Sequence, residues 1–276
     1  MAVLGLVYLS QQKQSSQTSE KQPRIVATTV AITEVFAHLN MKLVGVPSDS
    51  SLQKVPNKYH NVTRVGNHVS INWDNLLTAK PDIVYVDSEL TDEYQGKLKE
   101  QKIGMKSLNF QNYGSLVKSI KYLGRKYDKQ KEAQKLLSQI KIKKISRVQK
   151  PKVLILMGMP GGSFLVMNSK TYLGDLVKRA GGEVVGASPS SLYTTASSEA
   201  IVQADPDIVI RLAHAMPKQV KAAFITTFKQ SPYNNLKAVK EKHVYDVVAP
   251  KFSPTANLKV KQAYNQVKRW LDQIDK

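Results

Sequence analysis

The sequence predicts an α/β protein of two similar lobes, each with a central parallel sheet, joined by a long spine helix. Short β-branched runs alternate with helical patterns along most of the 276 residues, which is the order of parallel β-α units. One sequence motif also occurs twice, as NLLTAKPDIVYV over 75–86 and AIVQADPDIVIR over 200–211. A lobe that is duplicated only once is not a solenoid. We therefore expect two lobes that face a shared cleft.

The first lobe is predicted over residues 24–113. Its strand patterns are RIVATT, KLVGVP, TRVG, DIVYV and KSLNF, and its helix patterns are VAITEVFAHLN, INWDNLLTAK and EYQGKLKEQKI. The strands are β-branched runs, whereas the helices repeat apolar residues every three or four positions. The polar stretch SDSSLQKVPNKYHN is rich in turn formers, and we predict a loop there.

The spine is predicted over residues 114–148, as one long helix or two nearly continuous ones. Apolar residues recur there at helical spacing without a proline: Leu116, Ile120, Leu123, Tyr127, Leu136 and Ile140. The second lobe, 149–276, then repeats the order of the first, with strand PKVLILMG, loop MPGGSF, helix TYLGDLVKRAGG, strand EVVG, helix SSEAIVQAD and strand DIVIRL. Residues 1–23 join a short apolar run to a polar stretch, so we predict a disordered start that resembles a signal or tether.

The charge balance favours anionic partners. The chain has 41 Lys and Arg against 21 Asp and Glu, a formal net charge of +20. These basic residues are spread out, and no nucleic-acid-binding pattern accompanies them. We therefore expect a solvated basic surface and no nucleic-acid partner. The chain has no cysteine, which excludes disulfides, thiolate metal sites and cysteine nucleophiles.

No enzyme motif is present. The sequence lacks the serine elbow, the phosphate-binding loop, the dinucleotide fingerprint and the His-Glu-x-x-His pattern. The GMPGG segment at 158–162 follows a strand, and we interpret it as a tight turn that lets the backbone approach a ligand. A metal or redox enzyme would need carboxylates close to the histidines, and no such cluster is visible. The sequence therefore predicts a binding protein, not an enzyme.

Two histidines follow predicted strands, one in each lobe. His214 comes directly after DIVIRL, where ligands of open α/β sheets bind, and a neutral imidazole there can bind a metal. The alternative for His214 is a surface or capping role. His68 follows TRVG in the other lobe, and from its position alone a structural role is favoured.

A strand-to-helix turn offers a second kind of site. Thr28 and Thr29 lie where RIVATT becomes a helix, and the first amides of a helix attract a carboxylate. Ordinary N-capping is the alternative reading. In the long loop, Lys58 would add positive charge and Tyr59 an aromatic face.

Two acids occupy matching positions of the repeat. Asp74 lies seven positions before Pro81, and Glu199 lies seven positions before Pro206. They predict two docking points for a basic partner, or else two solvated acids that favour a helix dipole.

Several segments together resemble the haem-receptor lipoproteins of Gram-positive ABC importers, of the iron-regulated surface determinant E type: RIVATTVAITE, LVGVP, VPNKY, PKVLILMGMPGG, YLGDLVKRAGGE, DPDIVIRLAHAMP and HVYDV. The resemblance covers the chain from about residue 24 onwards. It implies a periplasmic-type binding fold with a rigid helical spine and haem in the cleft. It also implies an axial histidine from the second lobe, at His214, and an axial methionine from the first lobe.

The methionine position departs from the family pattern. The family's Gly-x-x-Met segment reads GNHV here, so Val69 stands where the methionine would be. Valine cannot ligate iron, and its neighbour His68 is our expected second ligand. The open alternatives are five-coordinate iron or another methionine, such as Met159 or Met167.

The resemblance also assigns roles to the remaining residues. It implies that Thr29 and Val30 contact the haem propionates and that Asp74 and Glu199 dock the permease. We expect Met159 and Phe164 to offer apolar surface to the porphyrin. The predicted protein is a monomer, tethered at the outer face of the membrane. It would take haem, in some cases from haem-donating surface proteins, and pass it to the permease and its ATPase. The alternative is a ferric-siderophore or cobalamin receptor of the same fold, for which Arg211 would be the clearest cleft arginine.

Overall fold

The computed structural model describes residues 22–67, 70–195, 197–213 and 215–274. The strands are β1 Ile25–Ala27, β2 Gly45–Val46, β3 Thr63–Arg64, β4 Ile83–Asp87, β5 Gly104–Leu108, β6 Lys152–Gly158, β7 Phe164–Met167, β8 Glu183–Val185, β9 Tyr193–Thr194, β10 Ile208–Ala213 and β11 Val244–Val248. The helices are α1 Val30–His38, α2 Trp73–Thr78, α3 Thr91–Glu100, α4 Tyr113–Lys126, α5 Gln130–Gln139, α6 Tyr172–Arg179, α7 Ser198–Ala204, α8 Pro217–Phe228, α9 Lys237–Lys240 and α10 Val260–Ile274.

These elements build two sheets. The first has five parallel strands in the order β3-β2-β1-β4-β5. The second has the order β11-β10-β6-β7-β9, with β8 also paired to β6. Strands β8, β10 and β11 belong to its parallel part, whereas β7 pairs antiparallel with both β6 and β9. The central strands are buried on both faces, which is why they read as continuous apolar runs. The predicted α/β class is confirmed.

The two copies of the repeated motif contain β4 and β10, which occupy equivalent positions in the first and second sheets. In the first sheet, the Asp82 carboxylate accepts a hydrogen bond of 2.7 Å from the Arg24 amide, and the Asp82 amide donates back to the Arg24 carbonyl. In the second sheet, the Asp207 carboxylate accepts one of 2.8 Å from the Lys152 amide, and the Asp207 amide returns a bond to the Lys152 carbonyl. The Pro-Asp pair of each motif copy therefore fixes the start of two neighbouring strands.

The spine region contains two separate helices, α4 and α5, so the expectation of one continuous helix over 114–148 is wrong. Helix α4 ends in a turn in which Asp128 has a left-handed backbone, with φ of 51°, and the Lys129 amide bonds the Gly124 carbonyl at 2.7 Å. This six-to-one bond closes a helix and turns the chain aside. Helix α5 ends at Gln139, and residues 141–151 contain no helix.

The β6–β7 hairpin is absent from the sequence prediction, which gave a loop followed directly by a helix. Its turn contains Gly161 and Gly162, both at positive φ, and β7 pairs with β6 through Gly158 and Phe164. The short strand β9 then pairs with β7. The second lobe is therefore not a simple copy of the first.

The main apolar core continues across the predicted lobe boundaries. It includes Phe36 and Phe110 of the first lobe, Ile120 of α4, and Met157 and Trp270 of the second lobe. The lobes therefore pack against each other directly. The boundaries at 24, 114 and 149 stay a prediction.

Among the described residues, no helix combines the length and the apolar character that crossing a membrane requires.

Candidate functional site

The carboxyl ends of the two sheets adjoin each other. Segments that leave the first sheet after β2 and β5 contact the segment that follows β11 in the second. The Gln53 side chain donates to Ser253 Oγ at 3.4 Å, and the Ala256 amide donates to the Phe110 carbonyl at 2.6 Å. Ligands of open α/β sheets bind beyond such strand ends. The candidate site is therefore the region between these two edges.

Helix α1 begins at this edge. Thr29 is its N-cap, and the Thr29 hydroxyl accepts a hydrogen bond from the Ile32 amide at 3.3 Å. Among the described residues, neither the Val30 amide nor the Ala31 amide donates a hydrogen bond. They carry the positive end of the helix dipole, so this turn suits a carboxylate. Thr29 is thus a cap, and the helix start is also open to a ligand.

Thr28 is buried, and its hydroxyl is already used. The hydroxyl donates to the Tyr85 carbonyl at 3.1 Å, and the Thr28 amide donates to the same oxygen. Thr28 therefore ties β1 to β4 and leaves ligand contact to Thr29 and Val30.

Lys58 and Tyr59 do not join this group. Lys58 Nζ donates to Asn40 Oδ1 at 2.6 Å, beyond the C-terminal end of α1, and the buried Tyr59 hydroxyl donates to the Met41 carbonyl at 2.8 Å. The reason is topological. These residues directly precede β3, which runs parallel to β2, so the loop has returned to the opposite edge of the sheet. The expectation that they line the cleft is not met.

Met159 lies at the matching edge of the second lobe. It follows β6 and forms a turn with Ser163 through a hydrogen bond of 2.8 Å. The last residue of β10, Ala213, pairs with Gly158, the neighbour of Met159. The next residue along the chain, His214, lies outside the described residues.

The segment that contains the other predicted iron ligand is held by its flanks. Asn67 and Ser70 exchange backbone hydrogen bonds of 2.9 and 3.1 Å, and Gly66 bridges to Ile71. The two residues between these flanks, His68 and Val69, lie outside the described residues. Among the residues that are described, no group of three or more histidine, aspartate or glutamate side chains is placed to hold a metal ion.

Sequence reasoning missed an acidic pair at the end of β4. Burial raises the pKa of Asp87 to about 6, and burial also raises the pKa of Glu89. Across the lobes, the pKa of Tyr193 is raised by burial and by the charges of Glu89 and Asp87. One edge of the candidate site is thus negative. The rule that drew attention to His214, the position after a strand, would also have found Asp87.

Asp74 and Glu199 are exposed in the first turns of α2 and α7. Because both helices run antiparallel to the strands that follow them, their N-termini lie at the carboxyl edges of the sheets. Hydrogen bonds from its own amide and from Ser197 and Ser198 lower the pKa of Glu199, which keeps the group charged.

Arg211 is not available to a ligand. The side chain is buried and pairs with Asp246 through two bonds of 2.7 and 3.0 Å. Its Nη1 donates to the Phe224 carbonyl, and its guanidinium lies over the rings of Phe224 and Phe228. The arginine that would have favoured a siderophore is therefore structural.

Comparisons with known proteins agree with this geometry. Residues 25–250 match the family model described as "Periplasmic binding protein". The chain is 37% identical to the "High-affinity heme uptake system protein IsdE" of Staphylococcus aureus strain Newman, over 96% of this chain and 94% of that protein.

Two solved structures are similar to this chain over most of its length. An ABC transporter substrate-binding protein from Listeria monocytogenes EGD-e has a TM-score of 0.83 at 37% identity, covering 92% of this chain and all of that one (100%). The structure of S. aureus IsdE complexed with heme has a TM-score of 0.82 at 35% identity, covering 91% of this chain and 99% of that one.

Proposed function

This chain belongs to the periplasmic binding protein family, and from that premise we propose that it captures haem between its lobes and delivers it to a membrane permease as the substrate-binding component of an ABC importer. Members of this family bind and hand over a substrate without converting it, so the chain is not an enzyme. The observation that carries the proposal is the likeness, over nearly the whole chain, to a protein named for heme uptake.

The first step of the mechanism is recognition of the propionates. Val30 and Ala31 present two open amides at the start of α1, with Thr29 as the cap. A helix N-terminus stabilises a nearby negative charge. The two open amides support a haem orientation with its propionates towards α1, although Asp87 at the end of the neighbouring strand β4 adds a negative charge beside this turn.

The second step is iron coordination. His214 would supply one imidazole and His68 the other, since Val69 has no donor atom. Imidazole is a common axial ligand of haem iron. Met159 and the half-buried ring of Phe164 lie at the carboxyl edge of β6 and support an apolar contact with the porphyrin face. Two imidazoles would give a low-spin spectrum.

The third step is delivery. Asp74 and Glu199 are exposed, carry negative charge and occupy equivalent places in the two lobes. They would dock basic residues of the permease, whose ATPase then drives transport. We place the monomeric protein at the outer face of the membrane, tethered there, where haem-donating surface proteins would supply its cargo. The siderophore alternative loses its clearest cleft arginine, because Arg211 is buried and paired with Asp246.

A haemin titration followed by absorbance tests the proposal. The wild-type chain should give a saturable one-to-one shift of the Soret band. We expect His214→Ala to abolish the shift and His68→Ala to retain binding with an altered spectrum. His60→Ala is the matched control, because this exposed histidine lies outside the proposed site, where its Nδ1 bonds the Asn57 carbonyl.

Each outcome has a distinct meaning. If His68→Ala gives the same Soret shift as the wild type, haem remains the substrate and His68 is excluded as the second ligand. No saturable shift in the wild-type chain would overturn the proposal, and ferric siderophores and cobalamin would then be titrated.

A further inference from the structure

A groove of about 530 Å³ lies between α1, α5 and the start of α10. It is lined by the second half of α1, whereas the candidate haem site lies at the first turn of that helix. One wall belongs to the first lobe and the other to α10 of the second. The volume is that of a small-molecule site, and nothing in the proposed haem mechanism uses it.

Three lysines line this groove from both sides. Lys54 extends from the loop after β2, and Lys259 and Lys261 come from the start of α10. Within the part of the chain that the structure describes, none of the three forms an ion pair. Like charges that share a groove repel each other unless a counter-ion is bound. The groove therefore favours an anion.

The other titratable groups leave this positive charge in place. Burial, then Lys135 and then Lys259 lower the pKa of His38, which keeps that ring neutral near pH 7. Glu34 is the single acid in the lining, and burial raises its pKa while Lys259 opposes the rise. One carboxylate does not balance three ammonium groups.

The remaining lining is suited to an apolar body. Its apolar side chains are Ala37, Pro56, Leu136, Ile140 and Leu258. Amide side chains from Gln139, Gln262 and Asn265 stand beside the lysines and supply further hydrogen-bond donors. An apolar surface beside several cations fits a molecule with an anionic head and a hydrocarbon tail.

We propose that this groove is a second ligand site, for an amphipathic anion. Its phosphate or carboxylate head would be held by Lys259 and Lys261, with Lys54 on the opposite wall. Its tail would cover the half-exposed side chains of Ala37, Pro56 and Leu258. A bound molecule contacts both lobes and so stabilises their packing, independently of haem.

Isothermal titration of the full chain with monomeric octyl phosphate tests this site. We expect saturable one-to-one binding that weakens as sodium chloride is added, because screening reduces the attraction. Inorganic phosphate should bind more weakly, since it lacks the tail. The double variant Lys259→Gln/Lys261→Gln should lose roughly tenfold or more in affinity, because charged hydrogen bonds are lost.

The matched control is Lys118→Gln/Lys121→Gln, two exposed lysines of α4 outside the groove. It should bind octyl phosphate like the wild type, and thermal unfolding should show that both variants fold. Vesicles that contain phosphatidylglycerol distinguish a membrane lipid from a soluble ligand as the source. No saturable binding of octyl phosphate, or equal affinity in the two double variants, would overturn the proposal.

Discussion

The Asp87 carboxyl shows how one residue at a strand end affects stability. Its side chain is 4% exposed, and burial raises its pKa to about 6, although the Glu89 amide donates a hydrogen bond to it. An unfolded aspartate has a pKa of about 3.9. The folded state therefore binds this proton more tightly, and stability falls as the pH rises from about 4 to about 6. At neutral pH the loss is on the order of 2–3 kcal/mol.

We expect Asp87→Asn to stabilise the protein at about pH 7.5, because asparagine can still accept the hydrogen bond from the Glu89 amide and carries no charge. The gain in the free energy of unfolding should be up to about 2 kcal/mol and should nearly vanish at about pH 3.5. Thermal unfolding followed by circular dichroism at both pH values measures it. A variant that is less stable than the wild type at the higher pH would contradict this account.

The pKa shift of Asp207 has the opposite sign to that of Asp87. Burial would raise its pKa, but hydrogen bonds from Lys237 and from the Lys152 amide outweigh burial and lower it. Its stabilising contribution is therefore present above its unfolded pKa of about 3.9 and is lost as the pH falls through the lower folded value.

Asp207→Asn should lower the free energy of unfolding by about 2 kcal/mol at neutral pH, because a charged hydrogen bond is lost. Asp82→Asn should cost less, because Asp82 is exposed and its carboxylate accepts from the Arg24 amide, whereas Asp207 also pairs with Lys237. Urea unfolding is the measurement, and Asp92→Asn, an exposed acid in the first turn of α3, is the control. If Asp207→Asn and Asp82→Asn lower the free energy of unfolding no more than Asp92→Asn does, the Pro-Asp motif does not have the proposed structural role.

At the scale of elements, the sequence was informative where a segment is buried on both faces. The runs DIVYV and DIVIRL predicted β4 and β10 because parallel strands there need apolar residues on each side. Strand β7 was missed because a four-residue apolar run, FLVM, has no distinguishable period. Its identity depends on pairing with β6, which no local pattern reports.

The site was foreseeable to the extent that it follows from strand ends. That rule led to Thr29 and Met159, which the structure places at the carboxyl edges of the two sheets. It failed for Lys58 and Tyr59 because the length of a loop does not show where the chain returns to the other edge. It was not applied to Asp87, which ends β4.

The break in the spine depends on Asp128, whose φ is 51°. Aspartate tolerates this conformation better than most residues, whereas a β-branched residue does not. Asp128→Val should therefore cost about 1–2 kcal/mol, and Asp128→Gly should be neutral or slightly stabilising. Urea unfolding of both variants measures the difference. Equal stability of the two would show that the left-handed turn between α4 and α5 is not required.

The whole molecule combines a basic surface with acids at the open edge of the cleft. The net charge is +20, yet Asp74, Asp87, Glu89 and Glu199 all lie at the carboxyl edges of the sheets. Under the proposed docking role, a neutral edge on so basic a chain would not attract basic residues of a permease. The two exposed acids, one in each lobe, give that edge a local charge of the opposite sign. Electrostatic complementarity of this kind acts mainly on association rate and orientation.

The docking role predicts a separation of cargo binding from delivery. Asp74→Ala/Glu199→Ala should bind haem like the wild type, because the proposed haem contacts come from Thr29, Val30, His68 and His214 and not from these two acids. Its affinity for permease in membrane vesicles should fall roughly tenfold, mostly through slower association. The matched control is Glu100→Ala/Glu183→Ala, which removes one exposed acid per lobe at the opposite edges of the sheets. Haemin titration and vesicle co-sedimentation measure the two properties. If the control variant loses as much affinity as the docking variant, net charge and not these two positions governs the encounter.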